Sequence, residues 1–171
     1  MKLIPKKSLG QNFLLNKNLI KDIVELGNIS KESIVIEIGP GTGNLTKEIL
    51  IRKPKKFFAI EKDEFLFHKL KEKYSSANII FINRDVLEIN WKNFLHNNLT
   101  VFGNLPYNIS AKILINWITQ DDLHSLFKNF ILMFQKEVAD RIVANVNSSK
   151  YGRLSILTEW KMEAKKVVDI D

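Results

Sequence analysis

The stretch FGNLPYNIS, residues 102–110, places polar and aromatic side chains directly after a buried strand. Residues 99–102 are apolar and β-prone, so they predict a short strand. A turn would account for Pro106 on its own. It does not account for the hydrogen-bonding side chain of Asn104 and the flat ring of Tyr107 three residues apart. This arrangement indicates a ligand site at the end of the strand.

The chemistry of these residues suits an adenine base whose exocyclic amine is to be methylated. That amine is a poor nucleophile because its lone pair is delocalised into the ring. Asn104 Oδ1 and the Leu105 carbonyl can accept its hydrogens, and Pro106 fixes the backbone so that this carbonyl points inward. Flipping a base costs a few kcal/mol, whereas stacking on Tyr107 returns about 1–3 kcal/mol and each hydrogen bond about 0.5–1.5 kcal/mol. We therefore predict Asn104, Leu105, Pro106 and Tyr107 as the catalytic residues.

A glycine-rich segment, EIGPGTGNLT at residues 37–46, lies between a predicted strand and a predicted helix. Gly39, Gly41 and Gly43 let the backbone approach a ligand closely. The spacing is G-x-G-x-G rather than the G-x-G-x-x-G of dinucleotide enzymes, which argues against NAD. A phosphate loop is excluded because no Gly-Lys-Ser/Thr follows. The structural alternative is a tight strand-to-helix connection.

Two acidic residues follow the next two predicted strands. Glu61 is placed to accept hydrogen bonds from both hydroxyls of a ribose, and Asp85 from the amine of an adenine. The alternatives are a surface glutamate and a turn or N-cap aspartate. Together with the glycine loop, these acids predict an adenosine cofactor without a pyrophosphate. S-adenosylmethionine fits that description.

The elements that position these residues alternate between helix and strand. The pattern predicts strands at 33–38, 56–61, 78–82, 99–102, 130–134 and 161–170, and helices at 16–25, 42–51, 63–74, 110–118, 136–146 and 151–159. We expect Asn16 and Ser110 to cap helices, and Phe65, Leu66 and Leu70 to form an apolar helix face. This alternation predicts an α/β fold, a mostly parallel sheet with helices on both faces. In such folds ligands bind outside the carboxyl ends of the strands, where strand order reverses.

The composition of the chain limits the kinds of site and partner that we expect. The chain has 171 residues, the size of one domain, a net charge of +7, no cysteine and three scattered histidines; we expect no metal site. The first acid is Asp22, after five lysines, and a second basic cluster lies between 150 and 166. Such clustering favours a nucleic-acid partner over a membrane. With no apolar run long enough to span a bilayer and no secretory signal, we expect a cytoplasmic protein.

Seven motifs together resemble the ribosomal RNA adenine N6-dimethyltransferases, most closely their bacterial small-subunit branch. They are LGQNFL (9–14), EIGPGTGNLT (37–46), IEKD (60–63), RDVLE (84–88), FGNLPYNIS (102–110), QKEVADRIVA (135–144) and YGRLS (151–155). The resemblance covers essentially the whole chain. It implies a Rossmann-like S-adenosylmethionine-dependent methyltransferase that dimethylates two adjacent adenosines near the 3′ end of small-subunit (16S) rRNA, acting on the immature small subunit, and we expect a monomer.

The same resemblance extends the predicted cofactor site. It adds Asn12 and Leu14, on a segment (1–28) expected to fold over the cofactor. The full predicted set of cofactor-binding residues is Asn12, Leu14, Gly39, Gly41, Glu61, Asp85, Val86 and Asn104.

Other activities stay open at this point. The related family that methylates large-subunit rRNA and confers macrolide resistance shares the glycine loop and an N-x-P-Y-type motif. A ribosome-assembly factor of the same fold without catalysis and an unrelated nucleotide-binding dehydrogenase are further alternatives.

The resembling family continues beyond the residues present here with a seventh strand and a helical C-terminal domain. We therefore expect residues 1–171 to form the catalytic domain only. We also expect an unfilled place or exposed edge in its sheet, and weaker rRNA methylation than a longer form would support.

Overall fold

The computed structural model of the chain describes residues 16–94 and 97–170. Its strands are β1 (Ile34–Ile38), β2 (Lys56–Ile60), β3 (Ile80–Ile82), β4 (Leu99–Asn104) and β5 (Phe127–Met133). Its helices are α1 (Lys17–Glu25), α2 (Asn44–Ile51), α3 (Glu64–Lys73), α4 (Ser110–Ile118), α5 (Leu123–Leu126), α6 (Lys136–Ile142) and α7 (Arg153–Lys161), with short 3₁₀ helices at Val86–Glu88 and Trp91–Phe94.

The five strands form one parallel sheet in the order β3-β2-β1-β4-β5. After β3 the chain crosses over β1 and β2 and places β4 on the other side of β1. Strand order therefore reverses between β1 and β4, and their carboxyl ends flank the switch point. The predicted α/β fold with a parallel sheet is confirmed, and it puts the predicted ligand residues at one edge of the sheet.

Apolar side chains cover both faces of the sheet, as the continuous apolar strands predict. Ile36 and Val101 point to one face, where they pack in a core with Trp117 of α4. Their neighbours Val35 and Phe102 point to the opposite face, against α1 and α2. Because both faces are buried, the carboxyl-terminal edge is left as the place where polar groups of the strands can meet a ligand.

Side-chain caps start two of the helices. The Asn16 carboxamide accepts hydrogen bonds from the backbone N–H groups of Asn18 and Leu19, which confirms it as the N-cap of α1. Asp63 caps α3 in the same way, through the amide of Leu66 at 3.1 Å. Such caps satisfy backbone N–H groups that a helix leaves unpaired at its start.

Two helical predictions are wrong in detail. Ser110 is the first residue of α4 rather than its cap, and its hydroxyl donates to the Tyr107 carbonyl at 3.3 Å. On α3, Leu66 and Leu70 are buried, but the Phe65 side chain is 52% exposed and lies under the Lys69 ammonium group. Successive residues of a helix point in different directions around its axis. Phe65 therefore faces solvent, whereas Leu66 and Leu70 are buried.

The predicted last strand at 161–170 is also wrong. Helix α7 extends through Lys161, and residues 162–170 have no regular secondary structure. Side chains hold the segment instead: Met162 packs on the core, and the Lys166 ammonium contacts Asp140 and Asp169. Within the described ranges 16–94 and 97–170, the sheet offers this segment no paired neighbour, so its β-prone valines make no ladder.

Candidate functional site

A cavity of about 230 Å³ lies at the switch point, outside the carboxyl ends of β1, β2, β3 and β4. Its walls include the predicted cofactor residues that the structure describes: Gly39, Gly41, Glu61, Asp85, Val86 and Asn104. Asn12 and Leu14 lie outside the described residues. The fold thus brings the ends of four strands, β1 to β4, to one cavity. The role of each residue there stays a prediction.

The glycine loop is held in a backbone conformation that other residues rarely adopt. Gly39 has φ +65° and Gly43 has φ +80°, in the left-handed region that glycine tolerates best. A Cβ atom at Gly43 would also lie 2.7 Å from Leu70 Cδ2 and 2.9 Å from Tyr74 Cε2. The Tyr74 hydroxyl donates a hydrogen bond of 2.8 Å to the Gly43 carbonyl. The end of α3 therefore fixes the loop in position.

Glu61 is a buried acid that joins the loop to the second strand. Its Oε2 accepts a hydrogen bond from the Gly41 amide at 3.1 Å, and its Oε1 accepts from the Asp63 amide at 2.9 Å. Burial raises the pKa of Glu61 above its usual value, and the two amide hydrogen bonds oppose that shift. The carboxylate is thus oriented by the backbone on one side while it lines the cavity on the other.

Asp85 both caps a short helix and lines the cavity. Its Oδ1 accepts from the Leu87 amide at 3.0 Å, so it caps the 3₁₀ helix at Val86–Glu88. Its Oδ2 pairs with the Lys62 ammonium at 2.7 Å. Burial raises the pKa of Asp85, whereas hydrogen bonds from Lys62 and the Leu87 amide lower it. The lowering effects are larger together, so the net pKa is below its usual value. The residue is therefore an anion at the cavity wall, with acceptor lone pairs already shared with Lys62.

The four predicted catalytic residues occupy different environments. Asn104 is the last residue of β4, and its backbone carbonyl would lie 3.8 Å from a Cβ atom at Gly39. Asn104 and Pro106 line the cavity. The Leu105 side chain is 1% exposed and belongs to the core, so its predicted role can involve only its backbone carbonyl. Tyr107 is half-buried and lies outside the set of cavity-lining residues.

Several cavity residues were not predicted from the sequence, and Glu37 is the most buried acid among them. Glu37 lies inside β1, is 1% exposed and lines the cavity. Its Oε2 accepts a hydrogen bond of 2.7 Å from the Thr46 hydroxyl. The signal was present in the sequence, since a carboxyl in the middle of the apolar strand IVIEI needs an explanation.

The part of the chain that the structure describes holds neither a cluster of metal ligands nor a membrane-spanning helix. No group of three or more His, Cys, Asp or Glu residues there is arranged to hold a metal ion. No described helix is long and apolar enough to cross a membrane.

Known proteins resemble this chain in sequence and in fold. The chain is 50% identical over 165 residues to the ribosomal RNA small subunit methyltransferase A of Pelagibacter ubique, with 96% of this chain and 62% of the relative covered. The fold resembles a dimethyladenosine transferase from Plasmodium falciparum (TM-score 0.75, 33% identity, 86% of this chain and 52% of that one). It also resembles the 23S rRNA methyltransferase ErmE (TM-score 0.69, 28% identity, 86% and 55%).

The chain spans about three fifths of the length of the curated relatives it matches. The family model described as "Ribosomal RNA adenine dimethylase" matches residues 4–171, nearly the whole chain. The chain therefore belongs to the ribosomal RNA adenine dimethylase family.

Proposed function

We propose that this chain is the catalytic domain of an S-adenosylmethionine-dependent methyltransferase. Its substrate would be two adjacent adenosines near the 3′ end of small-subunit rRNA, whose N6-amino groups become dimethylated. The observation that carries the proposal is the convergence of Gly39, Glu61, Asp85 and Asn104 on one cavity at the switch point. The curated relatives bear the name ribosomal RNA small subunit methyltransferase A, which favours the small subunit over the large one.

The residues present fit the proposed cofactor. Gly39 and Gly41 reach the cavity wall with no side chains of their own, and Glu61 would offer a carboxylate to ribose hydroxyls. Asp85 and Val86 offer a carboxylate and a backbone amide to an adenine ring. When bound, S-adenosylmethionine would supply the sulfonium methyl group that is transferred.

The target base would be held by the segment after β4. Asn104 Oδ1 and the Leu105 carbonyl would accept the two hydrogens of the adenine amine, which keeps its lone pair directed toward the methyl group. Pro106 restricts the backbone between them. Tyr107 lies in sequence between the cavity-lining residues Pro106 and Asn108 but is not itself part of the wall, which suits a residue that stacks a base without contacting the cofactor.

RNA binding would use the basic surface of the chain, and a longer form would contact more phosphates. Each phosphate contact contributes to the salt dependence of affinity. We propose residues 1–171 as the catalytic domain, acting as a monomer on immature small subunits in the cytoplasm. A large-subunit enzyme and a non-catalytic assembly factor are the competing functions.

The test is transfer of labelled methyl groups to small and large ribosomal subunits that lack the modification, followed by mapping of the modified base. We expect label in adjacent adenosines of small-subunit rRNA. Label confined to large subunits would favour the macrolide-resistance type, and cofactor binding with no transfer would favour an assembly factor.

Asn104→Ala should abolish transfer, because it removes an acceptor for the target amine. Asn93→Ala, a change to an exposed amide away from the cavity wall, is the matched control. Undiminished transfer by Asn104→Ala would contradict the assignment.

A further inference from the structure

Glu37 connects the hydrophobic core with the cavity. It lies between Ala59 of β2 and Phe102 of β4 in the sheet register, and only 1% of it is exposed. Glu37 is nevertheless one of the residues that line the cavity. The Thr46 hydroxyl, on α2, donates to Oε2 at 2.7 Å. Glu37 is therefore a buried acid at the boundary between the core and the cavity, where the charge of a bound ligand would act on it through a medium of low dielectric constant.

Among residues 16–94 and 97–170, the titratable groups that act on Glu37 do not supply a positive charge. Glu61 approaches it from the end of β2, with Asp63 behind, and the phenol of Tyr74 approaches from the end of α3. From α2 the hydroxyl and the backbone amide of Thr46 act on it, and both are neutral. Burial raises the pKa of Glu37 to about 8, Glu61 raises it as well, and the Thr46 hydrogen bonds oppose the shift. Burial without a compensating positive charge from the described residues therefore favours the protonated carboxyl in the ligand-free protein.

A cation in the cavity would reverse this balance. An ionised carboxylate in an apolar setting is costly unless an opposite charge compensates it. A positive ligand group next to Glu37 would favour the ionised form and lower its pKa. The proton would then pass to the solvent, and ligand binding would become stronger as the pH rises toward 8.

We propose that Glu37 senses the charge of the ligand: it holds a proton in the ligand-free protein and releases it when a sulfonium ligand binds. The inference rests on the proposed function, because S-adenosylmethionine is a sulfonium and its demethylated product, S-adenosylhomocysteine, is a neutral thioether at the same sulfur. Glu37 would thus be a positioning residue that favours the donor over the product. After transfer it would take up a proton, and product release would lose no ion pair.

The test is calorimetry of both ligands at pH 7, in buffers with different enthalpies of ionisation. These heats give the number of protons released on binding. We expect S-adenosylmethionine to release up to about one proton more than S-adenosylhomocysteine. The donor should bind up to about tenfold more tightly at pH 7 than at pH 6, whereas the affinity of the product should change little. At pH 9 the difference in proton release should vanish.

Two variants assign the proton to its residue. Glu37→Gln removes the titrating group while keeping its shape, so both ligands should then release equal numbers of protons. Thr46→Val removes the hydrogen bond but keeps the carboxyl, so the difference between the ligands should persist. Equal proton release by both ligands in the parent protein would overturn the proposal, even if Glu37→Gln failed to fold. Failure of both ligands to bind would instead refute the proposed cofactor.

Discussion

The Gly41 amide donates a hydrogen bond to the Glu61 carboxylate, with 3.1 Å between nitrogen and Oε2. This contact ties the loop after β1 to the end of β2. The second oxygen of the same carboxylate accepts from the Asp63 amide, next to the start of α3. Glu61 therefore orders the glycine loop as well as facing the cavity, and a change at this position should affect both.

Glu61→Ala should weaken S-adenosylmethionine binding by roughly 1.5–3 kcal/mol, the range for a hydrogen bond to a charged group. Isothermal titration calorimetry would measure this loss. Glu64→Ala is the control, because Glu64 is exposed and lies outside the cavity wall. Equal affinities for the two variants would show that Glu61 does not hold the cofactor. NAD binding without any response to S-adenosylhomocysteine would contradict the cofactor itself.

Tyr107→Ala should reduce methyl transfer sharply while it leaves cofactor affinity nearly unchanged. Its ring lies outside the set of cavity-lining residues, and loss of base stacking costs about 1–3 kcal/mol. Tyr107→Phe keeps the ring and should retain most of the transfer. Parallel transfer assays and cofactor titrations separate the two effects. Near-normal methylation by Tyr107→Ala would rule out stacking on this ring.

Gly43→Ala should destabilise the protein by more than about 1 kcal/mol. The left-handed conformation alone costs a residue with a Cβ roughly 1–2 kcal/mol, and the new atom would press on Leu70 and Tyr74. Gly152→Ala is the comparison, because nothing lies within 4 Å of its added Cβ. That change should cost less than about 1 kcal/mol, as expected at a helix N-cap. Denaturant titration of both variants would check the difference, and similar midpoints would contradict it.

Glu37→Gln should stabilise the ligand-free protein, increasingly so as the pH rises. The pKa of Glu37 is raised from 4.5 to about 8 in the folded state, so folding takes up a proton between these values. The stability associated with this proton is fully present below pH 4.5 and is lost as the pH rises to about 8. Each pKa unit corresponds to about 1.4 kcal/mol, so the gain by the variant should reach several kcal/mol at pH 8. Denaturant titrations from pH 5 to 9 would show it; a gap independent of pH would disprove the effect.

The sequence predicted the elements with strong local signals. Continuous apolar runs located all five strands, and cap residues such as Asn16 fixed a helix start. The segment after Met162 was mispredicted because β-propensity says nothing about whether a neighbouring strand is available. Helix α5, only four residues long, carries too few residues for a periodic pattern.

The cavity-lining residues were predictable where they directly follow a strand. Gly39, Glu61 and Asp85 end successive strands, and parallel topology alone brings such ends together. Glu37 was missed although a carboxyl within the apolar strand IVIEI was a signal; its burial and its hydrogen bond from Thr46 are features of the packed structure. The exclusion of Tyr107 from the cavity wall was likewise not encoded in its spacing from Asn104.

The connection from β3 to β4, which places β4 beside β1, affects how the protein folds. Val35 pairs with Thr100, although two α-helices, two 3₁₀ helices and two other strands separate them along the chain. Pairing of residues so distant in sequence is slow, because the long intervening loop must close first. Until that step is complete, the glycine loop and Glu61 lack their partner wall at Asn104. S-adenosylmethionine should therefore slow unfolding much more than it speeds folding, since the cavity that binds it forms only after β4 has docked.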